Sequence, residues 1–138
     1  MNRYVFDACA LIALFNDEDG ADVIERLLAD ADAGECSITM NKFNLFEIYY
    51  GYLVANGEEF AEGILGMVKD SGISVSDWFT DELMREAGKA KQAHRRMSLA
   101  DSMAIAQARI DGATLVTSDH HELDAVEQAG TLNFLWFR

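Results

Sequence analysis

Apolar residues fall along this chain in short blocks whose spacing keeps changing, and those changes predict the elements. Tyr4-Val5-Phe6 is a compact apolar run stopped by Asp7, the pattern of a short buried strand. Ala8 to Phe15 reads as one or two helical turns, and Asn16 to Gly20 is a polar break. Val23, Ile24, Leu27, Leu28 and Ala31 recur at the spacing of one helix face, which Gly34 closes. Ser37 to Met40 predicts a second strand. Asn41 can cap the next helix, whose apolar positions Phe43, Phe46, Tyr50 and Leu53 lead to a stop at Asn56-Gly57. Glu58 to Lys69 is another amphipathic helix, with Phe60, Ile64, Leu65 and Val68. Ile73-Ser74-Val75 predicts a short strand, and Ser76 or Asp77 opens a helix through Trp78, Leu83, Ala87 and Ala90. A helix from Ser98 to about Ile110 follows, then a strand over Thr114 to Thr117, a short helix from Asp119 to Ala129 and a last strand over Leu132 to Phe137.

Strands separated by helices need crossover connections, so the expected fold is α/β, with a mainly parallel sheet of about five strands covered by helices on both faces. The 138 residues, half of them hydrophobic, suit one domain from 1 to 138, and the absence of proline and of any low-complexity tract leaves no linker. In such sheets ligands gather beyond the carboxyl ends of the strands. Asp7 and Asp119 both stand just past strand ends.

Charge narrows the partners. Eleven basic residues against 24 acidic ones give a net charge of −13, the wrong sign for gripping phosphates broadly, so any nucleic-acid contact has to be local, metal-assisted or shared with another chain. Cys9 lies in an apolar run and Cys36 in a turn-like stretch, without metal-type spacing, as expected of reduced thiols in a cytoplasmic protein. Arg3 and the apolar stretch to Phe15 imitate a signal peptide, but Asp7 interrupts them and the acidic Asp17-Glu18-Asp19 follows. No run approaches the roughly 20 apolar residues that span a bilayer.

Four carboxylates stand out by position. Asp7 follows the first strand, Glu47 lies in the first turns of the helix after the second, Asp101 opens the helix at Ser98, and Asp119 follows Val116-Thr117-Ser118. Brought together they would repel one another and hold some protons too tightly, a penalty that a divalent cation removes. Mg²⁺ and Mn²⁺ prefer oxygen ligands, and such ions activate water and steady the leaving oxygen in phosphodiester cleavage. Each acid also has a plainer role. Asp7 and Asp119 can cap helices, Glu47 can be a solvated helix residue, and Asp101 fits a capping box with Ser98.

The stretch Tyr-Val-Phe-Asp-Ala-Cys-Ala-Leu-Ile at 4–12 resembles the opening motif of PIN-domain nucleases, and Asn44-Leu45-Phe46-Glu47 the second. Ser98-Leu99-Ala100-Asp101-Ser102-Met103-Ala104-Ile105-Ala106 is similar to the third, and Leu115-Val116-Thr117-Ser118-Asp119 to the fourth. The resemblance spans essentially the whole chain. It implies that Asp7, Glu47, Asp101 and Asp119 are catalytic metal-binding acids for Mg²⁺ or Mn²⁺ and that Thr117 orders the site. The small size is similar to that of VapC-like toxins, implying a ribonuclease that dimerises and is inhibited by a protein antitoxin. One position departs: where the first motif often has Ser or Thr two residues after its acid, this chain has Cys9, a poorer hydrogen-bond donor. That departure and the negative charge support the alternative of an inactive PIN-like module that sequesters RNA or a protein.

Arg85, Lys89, Lys91, Arg95 and Arg96, with His94, form the densest basic stretch, just ahead of Asp101. Arg85, Lys89, Arg95 and Arg96 are candidate RNA contacts, the alternative being a solvated face paired with Glu82 and Glu86. His120-His121-Glu122 lacks the partners of a zinc site and reads as surface. Tyr49, Tyr50 and Tyr52 read equally as packing or as base-stacking residues, and Leu132 to Phe137 as a buried strand or a partner contact.

Overall fold

The computed structural model describes residues 1–138. In chain order the elements are β1 (Asn2–Phe6), α1 (Ala8–Phe15), α2 (Ala21–Asp32), β2 (Cys36–Asn41), α3 (Lys42–Asn56), α4 (Glu58–Asp70), β3 (Ser74–Ser76), α5 (Asp81–Ala93), α6 (Leu99–Asp111), β4 (Thr114–Thr117), α7 (His120–Gln128) and β5 (Phe134–Trp136). All strand pairings are parallel and the order is β3-β2-β1-β4-β5. The chain therefore builds leftward from β1, then crosses to the other side, so the order reverses between β1 and β4. Crevices in open parallel sheets form at such reversals, beyond the carboxyl ends.

Alternation along the strands sorts the core. Phe6, Ile38, Met40 and Val116 face one layer, packing with Ile24 of α2, Ile48 of α3 and Ile64 and Val68 of α4. Val5 and Leu115 face the other, against Ile105 of α6 and Leu123 and Val126 of α7. Leu83 and Ala87 of α5 close over Met103 and Ala106, which leaves α6 between the sheet and α5. Every residue from Ala100 to Ala108 is buried as a result. None of the helices is long and apolar enough to cross a membrane, and both cysteines are free.

Two expectations need correction. The helix expected from Ser76 or Asp77 starts at Asp81, because the Thr80 hydroxyl caps Leu83 N at 3.1 Å and Asp81 and Glu82 fill the first turn. Ser76 instead ends β3, paired with Asn41, and Trp78 lies outside any helix. On α3 the apolar positions Phe43, Phe46 and Tyr50 are exposed, and the buried row is Asn44, Ile48 and Tyr52. A polar residue leads that buried row, which a count of apolar periodicity could not favour.

Candidate active site

Four helix starts converge at the carboxyl ends of β1, β2 and β4, and each brings one acid. Asp7 ends β1 and caps α1: its Oδ1 accepts from Ala10 N at 3.3 Å. Asp119 caps α7 through Oδ1 on Glu122 N at 3.2 Å. Ser98 caps α6 through its hydroxyl on Asp101 N at 3.1 Å, placing Asp101 in the first turn. Glu47 lies in the second turn of α3, exposed. The capping roles and an acidic site are thus compatible, since each capping carboxylate spends one oxygen on its helix and keeps the other.

The second oxygen of Asp7 is the unusual one. Asp7 is only 1% exposed, and its Oδ2 has no hydrogen-bond partner. Burial, with the charges of Asp101 and Glu47, pushes its carboxyl up to about 7, while the Thr117 hydroxyl and Ala10 N–H pull the other way. Thr117, fully buried at the end of β4, accepts from Asp119 N at 3.1 Å. That leaves its own O–H free to turn toward Asp7. Asp101 is raised to about 6 by burial and by Asp119, Glu47 and Glu122, with Ser98 opposing. Glu47 is raised by partial burial and then by Asp119.

The four predicted acids therefore share one field. Cys9 lies in the same field: burial and then Asp7, Asp119, Asp101 and Glu47 push its thiol up to about 12, so the sulfur stays protonated. They do not form a closed cage, because nowhere do three or more Asp, Glu, His or Cys side chains surround a point as a ready metal site. Mg²⁺ typically keeps several waters and takes one or two carboxylates, so an open ring with one orphaned oxygen fits its needs. The donor set is all oxygen apart from the protonated sulfur, which suits a hard cation and not zinc.

Two participants escaped the sequence. Asn44, fully buried, accepts from Asn41 Nδ2 at 2.6 Å and donates from its own Nδ2 to the Ala100 carbonyl at 3.1 Å, joining the start of α3 to the start of α6. It stood at the head of the quoted stretch Asn44-Leu45-Phe46-Glu47 without a role of its own, and its further signal was an amide three residues after a cap, inside an apolar run. Glu122, read as surface, acts on Asp101 through its charge. Among the basic residues, Arg95 and Arg96 flank a hollow beside α7, whereas Arg85 and Lys89 are exposed on α5, with Lys89 3.8 Å from Glu86. Lys91 is occupied, donating to the Arg95 and Met97 carbonyls. His120 is engaged by Asp124 and the Arg138 carbonyl and stacks on Trp136.

Comparison with known proteins places this architecture. VapBC2 from Rickettsia felis, bound to a promoter DNA fragment, superposes with a TM-score of 0.74 at 17% identity, over 96% of this chain and 97% of that one. DNA-bound VapBC from Salmonella typhimurium gives 0.74 at 17% over the whole of both chains. The sarcin-ricin loop cleaving toxin VapC20 from Mycobacterium tuberculosis gives 0.63 at 19%, over 81% of this chain and 86% of that one. At these identities the likeness is one of fold. No curated protein matches the sequence. The PIN domain family matches residues 4–128, nearly the full length, and the chain belongs to that family.

Proposed function

We propose that this chain is a divalent-metal-dependent endoribonuclease, the toxin of a toxin–antitoxin pair. The observation that carries the reading is the buried, partnerless Oδ2 of Asp7, in a carboxyl raised by burial and by the nearby charges of Asp101 and Glu47. A carboxylate oxygen held in that state is expensive unless a cation or a proton meets it. Asp7, Glu47, Asp101 and Asp119 would hold Mg²⁺ or Mn²⁺. When bound, such an ion supplies a water nucleophile at neutral pH and stabilises charge on the phosphate and the leaving oxygen. The protein's share is positioning: capping bonds fix Asp7 and Asp119, Ser98 fixes the turn that carries Asp101, and Thr117 ties the β4 end to both flanking acids. Hydrolysis breaks one phosphorus–oxygen bond as water oxygen forms another, and the leaving oxygen takes up a proton.

RNA as substrate and a protein antitoxin as partner are part of this reading, supported by family membership and by the toxin and toxin–antitoxin structures that share the fold. A homodimer in the cytoplasm belongs to the same reading, and the exposed Phe43, Phe46 and Tyr50 of α3, with Phe46 stacked on Tyr50 and tilted against Phe43, supply an apolar face for association.

The test is cleavage of labelled RNA with Mg²⁺ or Mn²⁺, against EDTA and against Asp101→Asn. Cutting should need the ion and vanish in the variant while the fold, read by circular dichroism, survives. Full activity in Asp101→Asn ends the assignment. Cys9 favours a second reading, an inactive module that sequesters RNA or protein, because a thiol within the field of the acids stands where the family often has a hydroxyl. That reading gains if no ion elicits cleavage and none raises the melting temperature.

A further inference from the structure

The exposed cations of this acidic chain are not scattered evenly. Arg3, Arg109 and Arg138 donate within the fold, to the Asp111 carbonyl, to Thr131 and to Glu18. Arg26, Lys42, Lys69 and Arg85 are exposed without an ion pair, Lys42 and Lys69 beside a mainly apolar hollow. Arg95 and Arg96 also form no ion pair, but they are adjacent, and both line one hollow of about 260 Å³ together with His94, His121 and Glu122. Both walls of that hollow are joined along the chain to candidate acids. On one side the chain runs from Arg96 through Met97, which is buried, into Ser98 and Asp101. On the other, His121 and Glu122 lie two and three residues past Asp119, which caps the Glu122 N–H.

We propose that this hollow is a phosphate subsite, holding the single-stranded RNA at a phosphate neighbouring the one that enters the carboxylate ring. The inference rests on the ribonuclease reading and adds where the strand is gripped. Two guanidinium forks can each take a phosphate bidentately, and an imidazole N–H can donate to it in either protonation state. Glu122 is the one acid in the lining, set against two guanidinium groups and two imidazoles. An acidic peptide running on from the hollow would meet four carboxylates. An RNA strand would instead bring its next phosphate to the cation those carboxylates hold. A chain with a net charge of −13 binds a polyanion only where exposed cations are concentrated like this.

The experiment uses the full chain carrying Asp101→Asn, so that RNA stays intact, and reads fluorescence anisotropy of a labelled oligouridylate across a KCl series. Arg95→Ala with Arg96→Ala should weaken binding roughly tenfold or more. It should also lower the slope of log affinity on log salt by about 0.7 for each phosphate that is no longer gripped. Arg85→Ala with Lys89→Ala should change both much less. An unchanged affinity and slope in the Arg95/Arg96 variant overturns the subsite, as does an equal loss in the Arg85/Lys89 variant. Displacement of the RNA by oligoglutamate at comparable concentration overturns it too, in favour of a carboxylate-bearing protein ligand. The two readings fail separately. Ion-dependent cutting by the parent chain with undiminished binding in the double variant sinks only the subsite. Lost binding in the double variant with no cutting under any ion sinks the nuclease and keeps the hollow as an RNA grip.

Discussion

The Nδ2 of Asn44 donates to the Ala100 carbonyl at 3.1 Å across 56 positions of sequence, and this bond sets the distance between two helices that each carry a site acid. Glu47 is one turn past Asn44, and Asp101 directly follows Ala100. Asn44→Ala removes that bond and the 2.6 Å bond from Asn41, leaving buried polar groups unpaired, at a cost of about 1–3 kcal/mol. On a domain of this size, melting should fall by several degrees. Cleavage measured well below melting should fall further than stability does, because Glu47 and Asp101 lose their common anchor. A lowered melting temperature with unchanged kcat would make Asn44 a packing residue only.

The acids also set how stability depends on pH. Asp7 moves from an ordinary 3.8 to about 7 and Asp101 from 3.8 to about 6, so between pH 4 and pH 7 the folded chain binds more protons than the unfolded one. Stability is fully present below the unfolded values and is lost as pH rises through 6 to 7. For Asp7, 1% exposed, the loss reaches roughly 4 kcal/mol at most. In EDTA the melting temperature should therefore fall from pH 5 to pH 8. Asp7→Asn, whose amide oxygen can still cap Ala10, should flatten that fall and melt higher than the parent at pH 8 while losing cleavage. Mn²⁺ should stabilise the parent more at pH 8 than at pH 5. Calorimetry at the two pH values decides, and a parent that melts higher at pH 8 in EDTA contradicts the assigned burial of Asp7.

Much of this was legible because the elements that carry the acids obey local rules. Asp7 closes an apolar run, Asn41 and Ser98 are capping residues, and Val116-Thr117 reads as a strand end, so β1, β2, α6 and β4 could be placed from the chain alone. The caps that the pattern offered for the helix after β3, Ser76 and Asp77, are not the one used. β3 pairing with Asn41 claims Ser76, and the helix waits for Thr80. The face of α3 was illegible for a related reason. Asn44 is buried only because Ala100 offers a carbonyl from another helix, while Phe46 and Tyr50 face solvent and stack on each other. Nor could periodicity bring Arg95 and His121 to one hollow, since they meet only through the packing of α7 beside the start of α6.

Cys9 supplies a test in the opposite direction, a gain. Burial, then the charges of Asp7, Asp119, Asp101 and Glu47, keep its thiol protonated up to about 12. A serine there would place a stronger donor within the field of the same acids at little change in volume. Cys9→Ser should raise ion-dependent cleavage several-fold, by analogy with a net contribution of roughly 1 kcal/mol for a hydrogen bond. Parent cysteines should react slowly with thiol reagents in the folded state, since the thiolate is the nucleophile. Fast labelling of Cys9 in the native protein would contradict its protonated state.

Gly20 links a distant turn to the site and can be compared with a control glycine. Its φ is +90°, and a Cβ there would collide with the Phe137 carbonyl and ring. Phe137 N donates to the Thr117 carbonyl at 3.3 Å, and Arg138 reaches Glu18, the Asp19 carbonyl and Ser118, so the chain's last residues clamp the 17–20 turn against the end of β4. Gly34 has a similar φ of +77° with nothing near its would-be Cβ. Gly34→Ala should therefore cost only the left-handed strain, about 1–2 kcal/mol. Gly20→Ala carries that strain plus the displacement of Phe137, for a total of about 2–4 kcal/mol. It should also reduce cleavage, because Thr117 holds Asp119 N and faces Asp7. Urea midpoints and cleavage rates of the two variants separate the effects. Equal midpoint shifts, with activity retained in both, would mean that Phe137 yields freely and that the C-terminal clamp does not reach the carboxylates.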